Sequence, residues 1–134
     1  MSNPYITKVF HFCAAHQYGQ SGWSYEKNKD VFGQDARVHG HNYKLEVTVT
    51  GEINPDTGFL IDLGMLSKIV NDYILSKLDH SQFEKDLPWF KDKQPSSENL
   101  VIFIWNEISK HLKSAKLHRI RIVETPTIYT DYYG

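Results

Sequence analysis

Three histidines carry the strongest chemical signal in this chain. His39-Gly40-His41 opens a segment, His39 to Thr50, in which apolar and polar residues alternate, and in an extended strand side chains at i and i+2 share a face. Two imidazoles so placed can converge on one ion, and the glycine between them removes a side chain from the opposite face. His16, closing the segment Phe12-Cys13-Ala14-Ala15-His16, is the natural third ligand, reached through space rather than sequence. Three neutral imidazoles leave the fourth tetrahedral position open, which is how catalytic rather than structural zinc is held. A plainer reading competes, with His-Gly-His as a turn feature and His16 as a hydrogen-bonded core residue. Cys13 has opposite parity to His16 in an extended segment and reads as packing, as single buried cysteines generally do.

The elements that would position these residues follow from periodicity and turn chemistry. Tyr5 to Phe12 alternates and is rich in aromatic and β-branched residues, which predicts a strand. Gly19 to Gln34 is polar and glycine-bearing, with Trp23, Tyr25 and Phe32 interspersed, and reads as a loop with aromatic anchors. In the strand His39 to Thr50, Tyr43, Leu45, Val47 and Val49 form one face and Lys44, Glu46, Thr48 and Thr50 the other. Asn54-Pro55-Asp56-Thr57-Gly58 has turn chemistry, so Phe59 to Ile61 is expected to return as an antiparallel partner. Asp62 can cap a helix in which Leu66, Ile69, Val70, Tyr73 and Ile74 repeat at helical spacing up to Leu78. Pro95-Ser96-Ser97-Glu98 opens a second helix with the stripe Leu100, Val101, Ile104, Ile108 and Leu112. Leu117 to Thr125 is a strand and Ile128 to Tyr133 a short extended piece. The sum is an α+β fold, a four-stranded antiparallel sheet with two helices on one face. Its edges and second face lack partners, which points to oligomerisation through edge strands.

Composition narrows the function classes. With 134 residues, 40% of them apolar, the chain has the size of one domain and core enough to fold without a metal staple. A formal charge of −1 gives no general attraction to nucleic acid or to a membrane surface, so the partner is expected to be a small molecule. One cysteine excludes an intrachain disulfide framework, and no signal pattern or membrane-length apolar run is present, so a cytoplasmic location is expected.

Ordered motifs over most of the chain resemble the 6-pyruvoyl- and 6-carboxy-tetrahydropterin synthases. Phe12-Cys13-Ala14-Ala15-His16 is similar to the family's first ligand motif, and Asn28 to Gln34 followed by His39-Gly40-His41-Asn42-Tyr43 to the loop and strand bearing the other two ligands. Leu78-Asp79-His80 resembles the catalytic Asp-His pair, Ser96-Ser97-Glu98-Asn99 the substrate-contacting helix start, and Val123-Glu124-Thr125 the pterin anchor. The resemblance implies a single domain over residues 1–134 with the tunnelling fold (T-fold). In that fold three subunits join their sheets into a barrel, two trimers stack, and active sites lie between subunits. It implies Zn2+ on His16, His39 and His41, and 7,8-dihydroneopterin triphosphate as substrate, with loss of triphosphate and rearrangement or cleavage of the side chain. Whether the product would feed queuosine, biopterin or folate chemistry stays open.

On that resemblance, Asp79 orients His80 for proton transfer near neutral pH; otherwise Asp79 caps a turn and His80 is a surface residue. Glu124 shares its parity with Ile120 and Ile122, so its carboxylate lies beside apolar residues unless paired. It either binds the donors of a pterin's amino-pyrimidine edge, with Ser97 and Glu98 as further contacts, or forms a buried salt bridge. The chain departs from the family at Asp35, which stands where those enzymes carry a catalytic cysteine. A carboxylate can act as a base but not as a thiolate, and acidic residues there are associated with cleavage towards 6-hydroxymethyl-dihydropterin. Gln17-Tyr18 replaces the usual Arg-Leu and removes one triphosphate contact. A zinc- and pterin-binding protein without turnover is the alternative, which the Asp79-His80 pair disfavours.

Overall fold

A computed structural model of the chain describes residues 2–134. Two long strands form its centre. β1 (Tyr5–His16) and β2 (His39–Thr50) pair antiparallel from end to end, Tyr5 opposite Thr50 and His16 opposite His39. Strand β3 (Ser81–Gln82) runs parallel to β1 at Ala14 and Ala15. On the other side β4 (Lys116–Thr125) pairs with β2, and β5 (Ile128–Tyr132) with β4, both antiparallel. The order is β3-β1-β2-β4-β5.

Alternation along these strands sends Phe10, Phe12, Ala14, Tyr43, Leu45, Val47, Val49, Ile120 and Ile122 to one face, all buried. That face is covered by α2 (Leu63–Val70), which passes through a π-helical turn (Asn71–Leu75) into α3 (Ser76–Leu78), and by α5 (Ser97–His111). Both helix starts are capped as the sequence predicts. Asp62 Oδ1 accepts from the amides of Gly64 and Met65, and Ser96 Oγ from that of Asn99. Leu66, Val70 and Ile74 from the first helical run and Leu100, Ile104 and Ile108 from α5 reach at most 1% exposure. At roughly 1.5–3 kcal/mol for each such side chain, hydrophobic burial is the main source of stability.

The opposite face is polar. Arg119 pairs with Glu46, and Arg121 makes a two-bond contact to Asp131 while lying over the Tyr129 ring. Tyr5, Val9 and Tyr129 are exposed. Among the described residues, the outer edge of β1 before Ala14 and the outer edge of β5 have no strand partner, so the sheet is open rather than closed into a barrel. Among the described residues, no helix is long and apolar enough to cross a membrane.

The structure corrects the expected architecture in four places. The sheet has five strands and is mixed: His80 has φ 63° and turns the chain so that Ser81 and Gln82 run beside β1, a two-residue pairing with no periodicity to reveal it. Phe59–Ile61 is not a strand, because the Asn54–Gly58 turn closes on itself (Gly58 N to Asn54 O, 2.8 Å) while β4 occupies that side of β2. The stretch expected to be a loop holds α1 (Tyr25–Phe32), capped by Ser24, and a 3-10 turn, Gly33–Ala36. α1 buries no residue, so it shows no apolar stripe; it is held instead by Trp23 stacked on Phe32 and Lys27 over the indole. Finally, β1 runs beyond Phe12 to His16, and α4 (Phe83–Asp86) with a 3-10 turn at Pro88–Phe90 packs below its end.

Candidate metal centre and ligand site

His16, His39 and His41 meet as the strand geometry predicts. Each offers a ring nitrogen, and these atoms lie within 4.8 Å of one another. Register explains the meeting: His16 and His39 are directly opposed across β1 and β2, and His41 follows on the same face. Gly40 faces the other way, and a Cβ there would stand 3.0 Å from the Ala14 carbonyl oxygen. A side chain would therefore press on the pairing that aligns the histidines.

The second nitrogen of two of these rings fixes its tautomer. His16 Nδ1 is 2.7 Å from the Pro95 carbonyl oxygen, and His39 Nδ1 is 2.8 Å from that of Arg37. A carbonyl only accepts, so in both rings Nδ1 carries the hydrogen and Nε2 of the neutral ring is a bare lone pair. These two Nε2 atoms are 2.9 Å apart. Two acceptors that close require a cation between them, either a proton or a metal. Burial, the largest effect, holds the His16 imidazole below its ordinary value against the opposing bond to Pro95. The carbonyl bonds are the orienting second layer expected around metal-ligating histidines.

Carboxylates surround this centre. Asp35 Oδ1 lies 3.7 Å from His39 Nε2 on a largely exposed side chain. Glu124 Oε1 lies 3.9 Å from His41 Nε2 and accepts from Ser97 Oγ at 3.3 Å. The Glu124 side chain is only 16% exposed, yet no lysine or arginine pairs with it among the described residues. Glu98 is exposed in the first turn of α5. Tyr18, edge-on to His16, feels all three: its hydroxyl is pushed up by burial first, then by Glu124, Glu98 and Asp35. Tyr43, beside His41, is pushed up mainly by burial, and its buried hydroxyl has no hydrogen-bond partner. Carboxylates beside three imidazoles, with an orphaned hydroxyl close by, suit a cation and a ligand rich in hydrogen-bond donors. Sequence reasoning missed Tyr43 in this role because it counted only as a core residue of its strand.

Asp79 and His80 pair with each other, and among the described residues no hydrogen bond or ion pair joins them to the histidine cluster, although His80 and His41 line one open depression. His80 Nδ1 is 3.1 Å from Asp79 Oδ1, and the pair lies against Cys13, whose parity puts it on the other face of β1 from His16. The Asp79 carboxyl is held below the usual range, chiefly by the Cys13 amide that donates to it at 3.1 Å and then by His80. The reading of Cys13 as packing is corrected: it is half-buried and touches a carboxylate and an imidazole. Beside the histidine cluster, an open cleft of about 720 Å³ is lined by Tyr18, Asn28, Lys29, Gln34 and Arg37 among others.

Comparison with known proteins agrees with this geometry. A family model described as 6-pyruvoyl tetrahydropterin synthase matches residues 5–134. A 6-pyruvoyl tetrahydrobiopterin synthase from Poecilia reticulata is 41% identical over 132 residues, covering 97% of this chain and 90% of the relative. The Homo sapiens 6-pyruvoyl tetrahydrobiopterin synthase is 34% identical, with 96% and 90% covered. The solved structure of Caenorhabditis elegans 6-pyruvoyl tetrahydropterin synthase superposes with a TM-score of 0.92 at 31% identity, covering 100% of this chain and 97% of that one. The architecture is therefore the tunnelling fold, seen here as an open five-stranded sheet. The chain belongs to the 6-pyruvoyl tetrahydropterin synthase family, a family of lyases in pterin metabolism.

Proposed function

We propose that this protein is a zinc-dependent carbon–oxygen or carbon–carbon lyase acting on 7,8-dihydroneopterin triphosphate. The observation that carries the metal is the pair of bare Nε2 lone pairs of His16 and His39, 2.9 Å apart and each locked by a carbonyl on its other nitrogen. With His41 they form a three-histidine donor set, the kind that holds zinc with a position left for substrate. Zinc bound there supplies Lewis acidity towards substrate oxygens.

The remaining steps belong to the chain's own residues. Glu124, held by Ser97 and lacking a cationic partner, accepts the donors of the amino-pyrimidine edge, and Glu98 flanks the same helix start. Lys29 and Arg37 line the adjoining cleft and offer positive charge to the triphosphate, a role the sequence left empty at Gln17 and Tyr18. Asp35, 3.7 Å from His39 Nε2, takes a hydroxyl proton from the substrate side chain. Removing that proton starts side-chain cleavage and favours a 6-hydroxymethyl product over a pyruvoyl one.

Asp79 and His80 form the second proton-transfer pair, and they act on a neighbouring subunit's centre. Their separation from the histidines of their own chain, with the open edges of β1 and β5, supports a homo-oligomer built on a trimer, as a single trimer or a pair. Light scattering at micromolar concentration checks this, and a monomer would contradict it. In a monomer the same separation would leave a zinc- and pterin-binding protein without turnover.

The test of the metal assignment is its content and its link to activity. The protein should retain about one zinc per chain after dialysis, lose turnover on chelation and recover it with zinc. Turnover indifferent to chelation would reject the proposal.

A further inference from the structure

The chain's single cysteine sits where the proposed reaction has its exposed acid–base pair. Cys13 Sγ is 3.7 Å from His80 Nε2 and 3.8 Å from Asp79 Oδ1. Within the ring of His80, Nδ1 faces the Asp79 carboxylate at 3.1 Å and so carries the hydrogen, leaving Nε2 as an acceptor aimed at the thiol. This is the order thiol, imidazole, carboxylate in which a base activates sulfur and an acid group orients the base.

The backbone ties the three residues together independently of those side-chain contacts. The His80 amide donates to the Cys13 carbonyl at 2.6 Å, and the Cys13 amide donates to Asp79 Oδ1 at 3.1 Å. His80 is the only non-glycine with positive φ among the described residues, at 63°, a conformation that is uncommon for a residue of its type and persists only where the surroundings enforce it. Cys13, His80 and Ser81 line a shallow open depression together with Gly40, His41 and Asn42, so the sulfur is reachable from solvent.

We propose that Cys13, His80 and Asp79 form a proton-relay triad in which Cys13 is an activated thiol and the group that exchanges a proton with the bound substrate. The thiol proton passes to His80 Nε2, and Asp79 holds the resulting imidazolium. The thiolate then takes a proton from a substrate atom, or the couple returns one to the carbon left electron-rich when a side-chain bond breaks; no oxidant or other reactant enters. The activated thiol stands on geometry alone, whereas its part in turnover rests on the lyase function proposed above. In this account the chain keeps a thiol among its proton-transfer groups, on β1 instead of at position 35.

Two measurements separate these claims. Because Cys13 is the only cysteine, its reaction with iodoacetamide can be followed on the intact, zinc-loaded protein by mass. The variant His80→Asn tolerates positive φ and lacks the imidazole, and Asp79→Asn removes the carboxylate charge. Alkylation should slow at least tenfold in His80→Asn and by a smaller factor in Asp79→Asn. An equal rate in wild type and His80→Asn overturns the triad. In the second arm, Cys13→Ala should lower kcat at least tenfold with KM and zinc content unchanged; unaltered kcat would overturn the role in turnover. If wild type itself does not turn over dihydroneopterin triphosphate, the lyase reading and the turnover role fail together, and the alkylation rates still decide the triad.

Discussion

Glu124→Gln is the substitution that separates a ligand anchor from a structural carboxylate. The native side chain is 16% exposed, and its one hydrogen bond, from Ser97 Oγ, is long at 3.3 Å. Glutamine keeps the volume and can keep that bond through its own oxygen, so packing changes little. What it loses is the charge, and one of two acceptor oxygens becomes a donor facing the donors of the pterin. Hydrogen bonds to a charged group contribute roughly 1.5–3 kcal/mol, which converts to about a 10- to 150-fold weaker Kd. The zinc content should not change, because the donor atoms that converge on one point are those of His16, His39 and His41, and Glu124 is not among them. Titration of the zinc-loaded protein with a reduced pterin, read by fluorescence quenching, gives the affinity, and metal analysis of the same sample gives the control. An affinity within twofold of wild type would assign Glu124 to structure and refute the anchor.

Four further substitutions, at three positions, test other parts of the account. His39→Ala should remove the metal with the fold retained, since His39 is a half-exposed strand residue and the core lies elsewhere; stoichiometric zinc in that variant, with an unchanged circular dichroism spectrum, would reject the ligand set. Asp35→Cys should shift products towards the pyruvoyl type and Asp35→Ala should slow cleavage by about 100- to 10,000-fold, the usual worth of a general base; Ala turning over like wild type makes the residue a bystander. Asp131→Asn should cost about 0.5–1 kcal/mol at neutral pH through loss of the two-bond contact from Arg121. The Arg121 guanidinium holds the Asp131 carboxyl below its ordinary value, so this contribution is complete above the unfolded aspartate value near 3.9 and fades as pH falls through the lower folded one. Denaturant melts of both proteins should therefore converge in acid, and a constant gap would contradict the assignment.

The features legible in the sequence were those with a period or a cap. Tyr43, Leu45, Val47 and Val49 alternate, so β2 and the shared face of His39 and His41 followed from the residues alone. Asp62 and Ser96 announced the two covering helix starts. What stayed hidden depends on contacts made across the fold. α1 buries no side chain and leaves no apolar stripe to read. β3 is two residues long and exists because His80 turns the chain onto β1. The carbonyls of Pro95 and Arg37 that fix the ring tautomers leave no mark in side-chain chemistry, since any residue offers a carbonyl. Cys13 was misread for a related reason: parity rightly placed it opposite His16, but not what a residue 67 positions away would bring to that face.

The central claim is that the three-histidine centre makes this chain a lyase of dihydroneopterin triphosphate. Its most direct test is incubation of zinc-loaded wild-type protein with that substrate, products being resolved by mass, beside a chelated control. The account predicts zinc-dependent consumption, release of triphosphate or of a side-chain fragment, and a 6-substituted pterin dominated by the hydroxymethyl form. Recovery of intact substrate from the zinc-loaded protein would contradict it.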